Sequence, residues 1–208
     1  MSNIVLQPNS SGTGSITIAS PNTNTNRTLN IPDVAGNIVT TGDTGTVTAG
    51  MVSGVNTSAL PSGTIAQVVS TTINTTATSS AIPFDGTTPT NSEGAELSSL
   101  SITPTSSSSK ILLMASFQYD YYNSNSYAIG ALFRGTTCVR ASFSGYQYGV
   151  VSLYHMDSPA TTSSTTYSLR GGGNAGATVW FHSTNGGARF GGNNATLNSE
   201  FVAMEILV

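Results

Sequence analysis

Beyond residue 62 the apolar residues of this chain fall in short runs with a period of two, divided by clusters of Ser, Thr, Asn, Gly and Pro. Such alternation marks strands, because successive side chains leave a strand on opposite faces. Strands are therefore expected at 64–72, 97–103, 110–119, 127–134, 137–143, 149–156, 165–170, 177–182 and 197–207. Turn formers stand between them: Pro104 and the serines after Thr105, Asn123 to Ser126, Gly135 and Thr136, Asp157 to Pro159, Gly171 to Asn174, and Asn185 to Gly187. No segment sustains the apolar period of an amphipathic helix. The expected fold is all-β, an antiparallel sandwich or jelly roll over 63–208.

Three of these runs depart from simple alternation. Ile111, Leu113, Ala115, Phe117 and Tyr119 mark one face of a strand whose other face carries Leu112 and Met114. Phe201, Ala203 and Leu207 alternate with Val202, Met204, Ile206 and Val208, and Val151 and Leu153 alternate with Val150, Tyr154 and Met156. An antiparallel sheet with one wet face should alternate apolar with polar. Strands apolar on both faces need a second cover, which is either a loop folded over the outer face or another copy of the chain. The copy is the simpler cover, and a homo-oligomer is expected, of which a homotrimer would suit an elongated fibre.

Residues 1–47 read differently. Ile4 to Leu6, Ser15 to Ile18, Thr28 to Ile31, and Ile38 with Val39 are strands too short and too few to enclose a core. This segment is expected to pair with other chains or to lie on a larger protein, as an attachment segment. Residues 48–62 form a linker or short helical turn ending near Pro61, with Gly50 and Gly54 weakening a helix.

Composition narrows the setting. Charged residues make up 7% of the chain, against 31 serines, 31 threonines and 22 glycines, so hydroxyls and backbone must cover the surface. With six Lys and Arg in all and a net charge of −3, there is no basic field for nucleic acid. Cys138 has no disulfide partner within the chain and is expected to pack as a small apolar residue. The first residues lack the basic start and apolar core of a signal peptide, and no apolar run is long enough to cross a membrane. A surface-type composition without an export signal fits a protein made in the cytoplasm and released by lysis.

The stretch from Gly14 to Thr40 contains Thr28-Leu29-Asn30-Ile31-Pro32-Asp33-Val34-Ala35-Gly36 between two short strands. It resembles a segment of bacteriophage tail-fibre and head-fibre proteins, and Met51 to Ser70 looks like the junction into such a fibre's distal domain. Residues 64–208 are similar in layout to trimeric fibre knobs, whose jelly rolls resemble the tumour-necrosis-factor and C1q folds. The resemblance implies a short trimeric fibre docked on other virion proteins through residues 1–47, with its knob exposed for host attachment. A chain that is nearly all anchor and knob also admits a capsid-decorating head fibre that binds no receptor.

Enzyme chemistry finds little support. Polysaccharide hydrolysis needs two carboxylates facing one cleft. The pairs Glu93 with Glu96 and Asp120 with Asp157 read instead as solvated loop acids, and His155 and His182 as core or interface histidines. No cofactor or metal is expected. The glycines at 171–173 and 186–192 do not lie between a strand and a helix, so they read as turns rather than phosphate cradles. The loop aromatics Tyr121, Tyr122, Tyr146 and Tyr148, with the adjacent Asn123, either sit in the interface between copies or recognise a host glycan or protein, and for recognition they are the candidates. Trp180 is a further candidate.

Overall fold

Period-two patterning puts one set of apolar residues on the same side of each strand, and the chain satisfies them by packing two sheets face to face. The computed structural model describes residues 60–73, 75, 77–78, 80–121, 126–145, 147–175, 178–182 and 199–208, with 11–14, 24–26 and 28 nearer the N-terminus. The chain divides into two units, Met1–Val52 and Ser53–Val208. The described residues of the first are exposed. The strands expected within 1–47, and most of the linker at 48–62, lie outside the described residues.

The strands of the second unit are β1 (Ile65–Ile73), β2 (Ala77–Thr78), β3 (Ala95–Ile102), β4 (Lys110–Tyr121) and β5 (Tyr127–Arg134). They continue with β6 (Thr137–Gly145), β7 (Tyr148–Asp157), β8 (Thr165–Gly173), β9 (Val179–Phe181) and β10 (Ser199–Ile206). No helix occurs among the described residues. One sheet runs β1-β10-β4-β9-β2 with β7 also on β4, and the other runs β3-β8-β5-β6, with every ladder antiparallel. From β3 to β8 the chain repeatedly crosses between the sheets, which is jelly-roll order.

Strand β4 organises the first sheet. On one edge it pairs with β7 from Ile111 to Asp120, while β10 takes Lys110 to Ala115 and β9 takes Tyr119 to Tyr121. Its inward residues Ile111, Leu113, Ala115, Phe117 and Tyr119 meet Leu97, Leu100, Leu132, Tyr167 and Leu169 of the other sheet in one core. Phe117 and Phe181 pack edge to face at 5.3 Å between ring centroids. Gly130 of β5 makes room for this packing, since a methyl there would lie 2.9 Å from Leu153 and 3.0 Å from both Phe117 and Val151.

The glycines at 171–173 are not a turn. They close β8, and each faces something too near for a side chain. A Cβ on Gly172 would lie 2.3 Å from the Ser80 carbonyl oxygen, and one on Gly173 would lie 2.3 Å from the Tyr121 ring. Glycine inside a strand often records such an approach. At Gly172 the cause is the segment before β3, which wraps over the outer face of the second sheet, whereas Gly171 and Gly173 face Leu97 and Tyr121 of the core. The wrap is held by Ile82 N–H to Gly173 O at 3.0 Å and by Gly94 N–H to Ala81 O at 2.8 Å. Arg170 adds Nε to Glu93 O and Nη2 to Gly94 O, both at 2.7 Å. Beneath the wrap Ile82, Ile129, Ala131 and Phe133 form a second small core, with Cys138 and Tyr127 packed against it. Burial pushes the Cys138 thiol up, as an apolar packing role requires.

Candidate assembly face and the placement of the site residues

The three strands that read as apolar on both faces are neighbours in one sheet, in the order β10-β4-β7. Register aligns their outward residues in rows. Val68, Met204, Leu112 and Met156 lie side by side across β1, β10, β4 and β7. The next row is Ser70, Val202, Met114 and Tyr154. On the second sheet a wrapping segment covers the outer face of β5, but these two rows are open. Val68 is 55% exposed, Tyr154 63% and Met156 44%, with Val150 at 50% further along β7. Apolar side chains standing in adjacent rows form a continuous patch, and patches of this kind on soluble proteins mark contact surfaces. The patch carries no acid in either row, and Lys110 stands at its margin beside Ile206.

The inward face of the same sheet ends in two carboxylates. Glu205 and Asp157 lie opposite Ile111 from its two sides, so Gln67, Glu205, Ile111 and Asp157 form one row. Glu205 is buried and accepts from Gln67 Nε2 at 2.6 Å, Thr105 N–H at 2.7 Å and Thr105 Oγ1 at 2.8 Å. Burial alone would raise its pKa. The donors outweigh that and hold the carboxyl below its ordinary range. The buried Ser109 hydroxyl, close by, acts in the same direction. Asp157 accepts Arg134 Nη1 at 2.8 Å on both oxygens and the Tyr167 hydroxyl at 2.6 Å, while His155 Nε2 stands 3.9 Å away. Burial, then the bond to Asp157, drives the Tyr167 phenol strongly upward. Both carboxylates are occupied by internal donors, with buried Ile111 between them. They close one end of the sandwich, where Asp157 ties the two sheets through Arg134 and Tyr167 and Glu205 holds the loop at Thr105.

Asp120 does not join Asp157. Asp157 pairs opposite Ile111 and Asp120 lies nine residues along the same strand, roughly 30 Å away at strand rise. Glu93 Oε2 accepts the Thr90 N–H at 2.8 Å, and Glu96 lies 3.8 Å from Arg170 Nη1. His182 follows β9 in a left-handed conformation, φ 56°, with Nε2 2.8 Å from Ser199 Oγ. Burial lowers its pKa.

Among the recognition candidates, Tyr121 is not a loop residue and is not accessible. It ends β4 on the inward side with no exposed surface, packed in the main core. Its parity explains this, since 121 continues the inward series 111 to 119. Tyr122, Asn123 and Tyr146 lie outside the described residues. Tyr148 is 59% exposed and opens β7 opposite Asp120, while Trp180 is half-buried in β9. The sequence reading missed the aromatic residues Phe84, Tyr127 and Phe143, which come from three separate segments and meet on the second sheet.

These features define the class: an antiparallel β-sandwich with one apolar sheet face open to a partner. A family model described as the Pgp3 C-terminal domain matches residues 84–206, more than half of the chain. The chain belongs to that family, which is one of trimeric domains. No curated protein matches it closely enough to be named beside it.

Proposed function

We propose that the chain is a structural virion protein, a short trimeric fibre whose sandwich is the distal knob, exposed for host attachment, and whose residues 1–47 dock on the particle. The observation that carries the assembly is the open apolar face of β1-β10-β4-β7. A face of this kind is stable in water when a second and third copy cover it. Membership of a family of trimeric domains supports three copies rather than two. The virion setting is supported by the tail- and head-fibre resemblance of Gly14 to Thr40 and by a surface that relies on hydroxyls rather than ions.

The test is to label the chain on purified particles and image them. Signal at the tail tip is the expected result. Signal spread over the capsid would make the chain a decoration protein without a receptor. No particle-bound signal would remove the virion reading while leaving the trimer intact.

A further inference from the structure

On the sheet opposite the assembly face, three aromatic rings stand together at the surface. Phe84 comes from the wrapping segment, Tyr127 opens β5 and Phe143 lies near the end of β6. Phe84 sits 4.6 Å from Tyr127 at 33° and 4.6 Å from Phe143 at 59°, and Tyr127 meets Phe143 edge-on at 5.5 Å and 88°. Despite this mutual packing, Phe84 stays 50% and Phe143 52% exposed. Each ring is braced from behind. Tyr127 and Phe143 belong to paired strands, Tyr127 N–H donates to Asn174 Oδ1 at 3.0 Å, and Ile82 anchors the wrap two residues before Phe84.

The geometry points to a binding platform for a neutral saccharide, with pyranose faces stacking on Phe84, Phe143 and Tyr127 and sugar hydroxyls bonding at the rim. The rings alone are too small to make a stable interface with a folded partner. Phe84 and Phe143, about 200 Å² each and half covered, offer roughly 200 Å², and the more buried Tyr127 adds less than about 100 Å², against about 800 Å² per side in a stable protein interface. The rim supplies an oriented acceptor in Asp85, next after Phe84. Its Oδ1 takes Thr87 N–H at 2.7 Å and Thr87 Oγ1 at 2.6 Å, leaving Oδ2 for a ligand hydroxyl. Those bonds favour the ionised carboxylate, and its charge disfavours acidic sugars. Because the platform and the assembly face lie on different sheets, covering one leaves the other open.

Maltotetraose, cellotetraose and triacetylchitotriose serve as probes on the intact chain, at millimolar concentration. Binding of at least one is expected, with shifts in the ring resonances of Phe84, Tyr127 and Phe143. Phe84→Ala and Phe143→Ala should each weaken it about tenfold while leaving the mass in solution unchanged. No ring shifts with any of the three, or binding that persists in the double variant, overturns the platform. A change of mass in either variant overturns it as well, by making the rings an interface between copies. The unmodified protein answers the question even if a variant folds poorly. The platform does not depend on the fibre reading, since the binding measurement and the mass report on the two separately.

Discussion

Glu205→Gln is an informative single change in this protein, because it alters charge and hydrogen-bond sense at nearly constant volume. The native carboxylate receives three donors, from Gln67 Nε2, Thr105 N–H and Thr105 Oγ1. An amide has one oxygen. If that oxygen faces Thr105, its NH₂ faces Gln67 Nε2, which cannot turn away without losing its second bond to Thr103 O at 2.7 Å. One buried donor is left unpaired and two bonds lose their charge assistance, a cost of about 2–3 kcal/mol. For a domain of this size the melting temperature should fall by roughly 5–10 °C at neutral pH. Glu205→Ala, which takes the acceptor from all three donors and leaves a void, should cost about 3–5 kcal/mol.

The same substitution carries a pH signature. The folded carboxyl titrates below its unfolded value, so its stabilisation is fully present above the unfolded pKa and is lost as pH falls through the folded one. Thermal melts followed by circular dichroism from pH 7 downward should show the wild type converging on Glu205→Gln in acid. Equal melting temperatures at pH 7 would refute the hydrogen-bond argument. A gap that stays constant into strong acid would refute the assignment of the charge.

Other outcomes follow from the same packing. Gly172→Ala puts a methyl where the Ser80 carbonyl stands, and should lower stability by about 2 kcal/mol or more. It should also open the wrap at 80–94 to limited proteolysis, and unchanged cleavage kinetics would count against the wrap as the reason for glycine. Asp157→Asn removes the charged partner of Arg134 and Tyr167, and should cost about 2–3 kcal/mol in urea unfolding. Ultraviolet titration of that variant should show a tyrosine moving part of the way toward ordinary values: burial still raises it, but the acceptor beside it is no longer charged.

Much of the sandwich was legible because strand alternation is a local signal. Tyr127 to Arg134 matches its expected strand end to end, and the other expected strands of the knob differ at their boundaries. The rows of the assembly face were legible as single strands, since Met114, Met204 and Met156 each broke the alternation of their own run. That β10, β4 and β7 are neighbours is a matter of topology, which no one strand encodes. Tyr121 was misplaced although its signal was present, because ending the strand at Tyr119 concealed that 121 keeps the inward parity. The glycines at 171–173 misled for a different reason. Glycine is a poor strand former, and what requires it there is Ser80 and Tyr121, distant in sequence. The rings of Phe84, Tyr127 and Phe143 were invisible for the same cause, since only the wrap brings the first to the other two.

The central claim is that the open face of β1-β10-β4-β7 joins three copies. Sedimentation equilibrium of the purified chain tests it most directly, alongside a variant carrying Met114→Glu and Met204→Glu in adjacent rows. The account predicts a mass of three times 21.3 kDa for the wild type, and a folded species of one-third that mass for the variant. A wild type that sediments as a stable monomer, or a variant that remains trimeric, would contradict it.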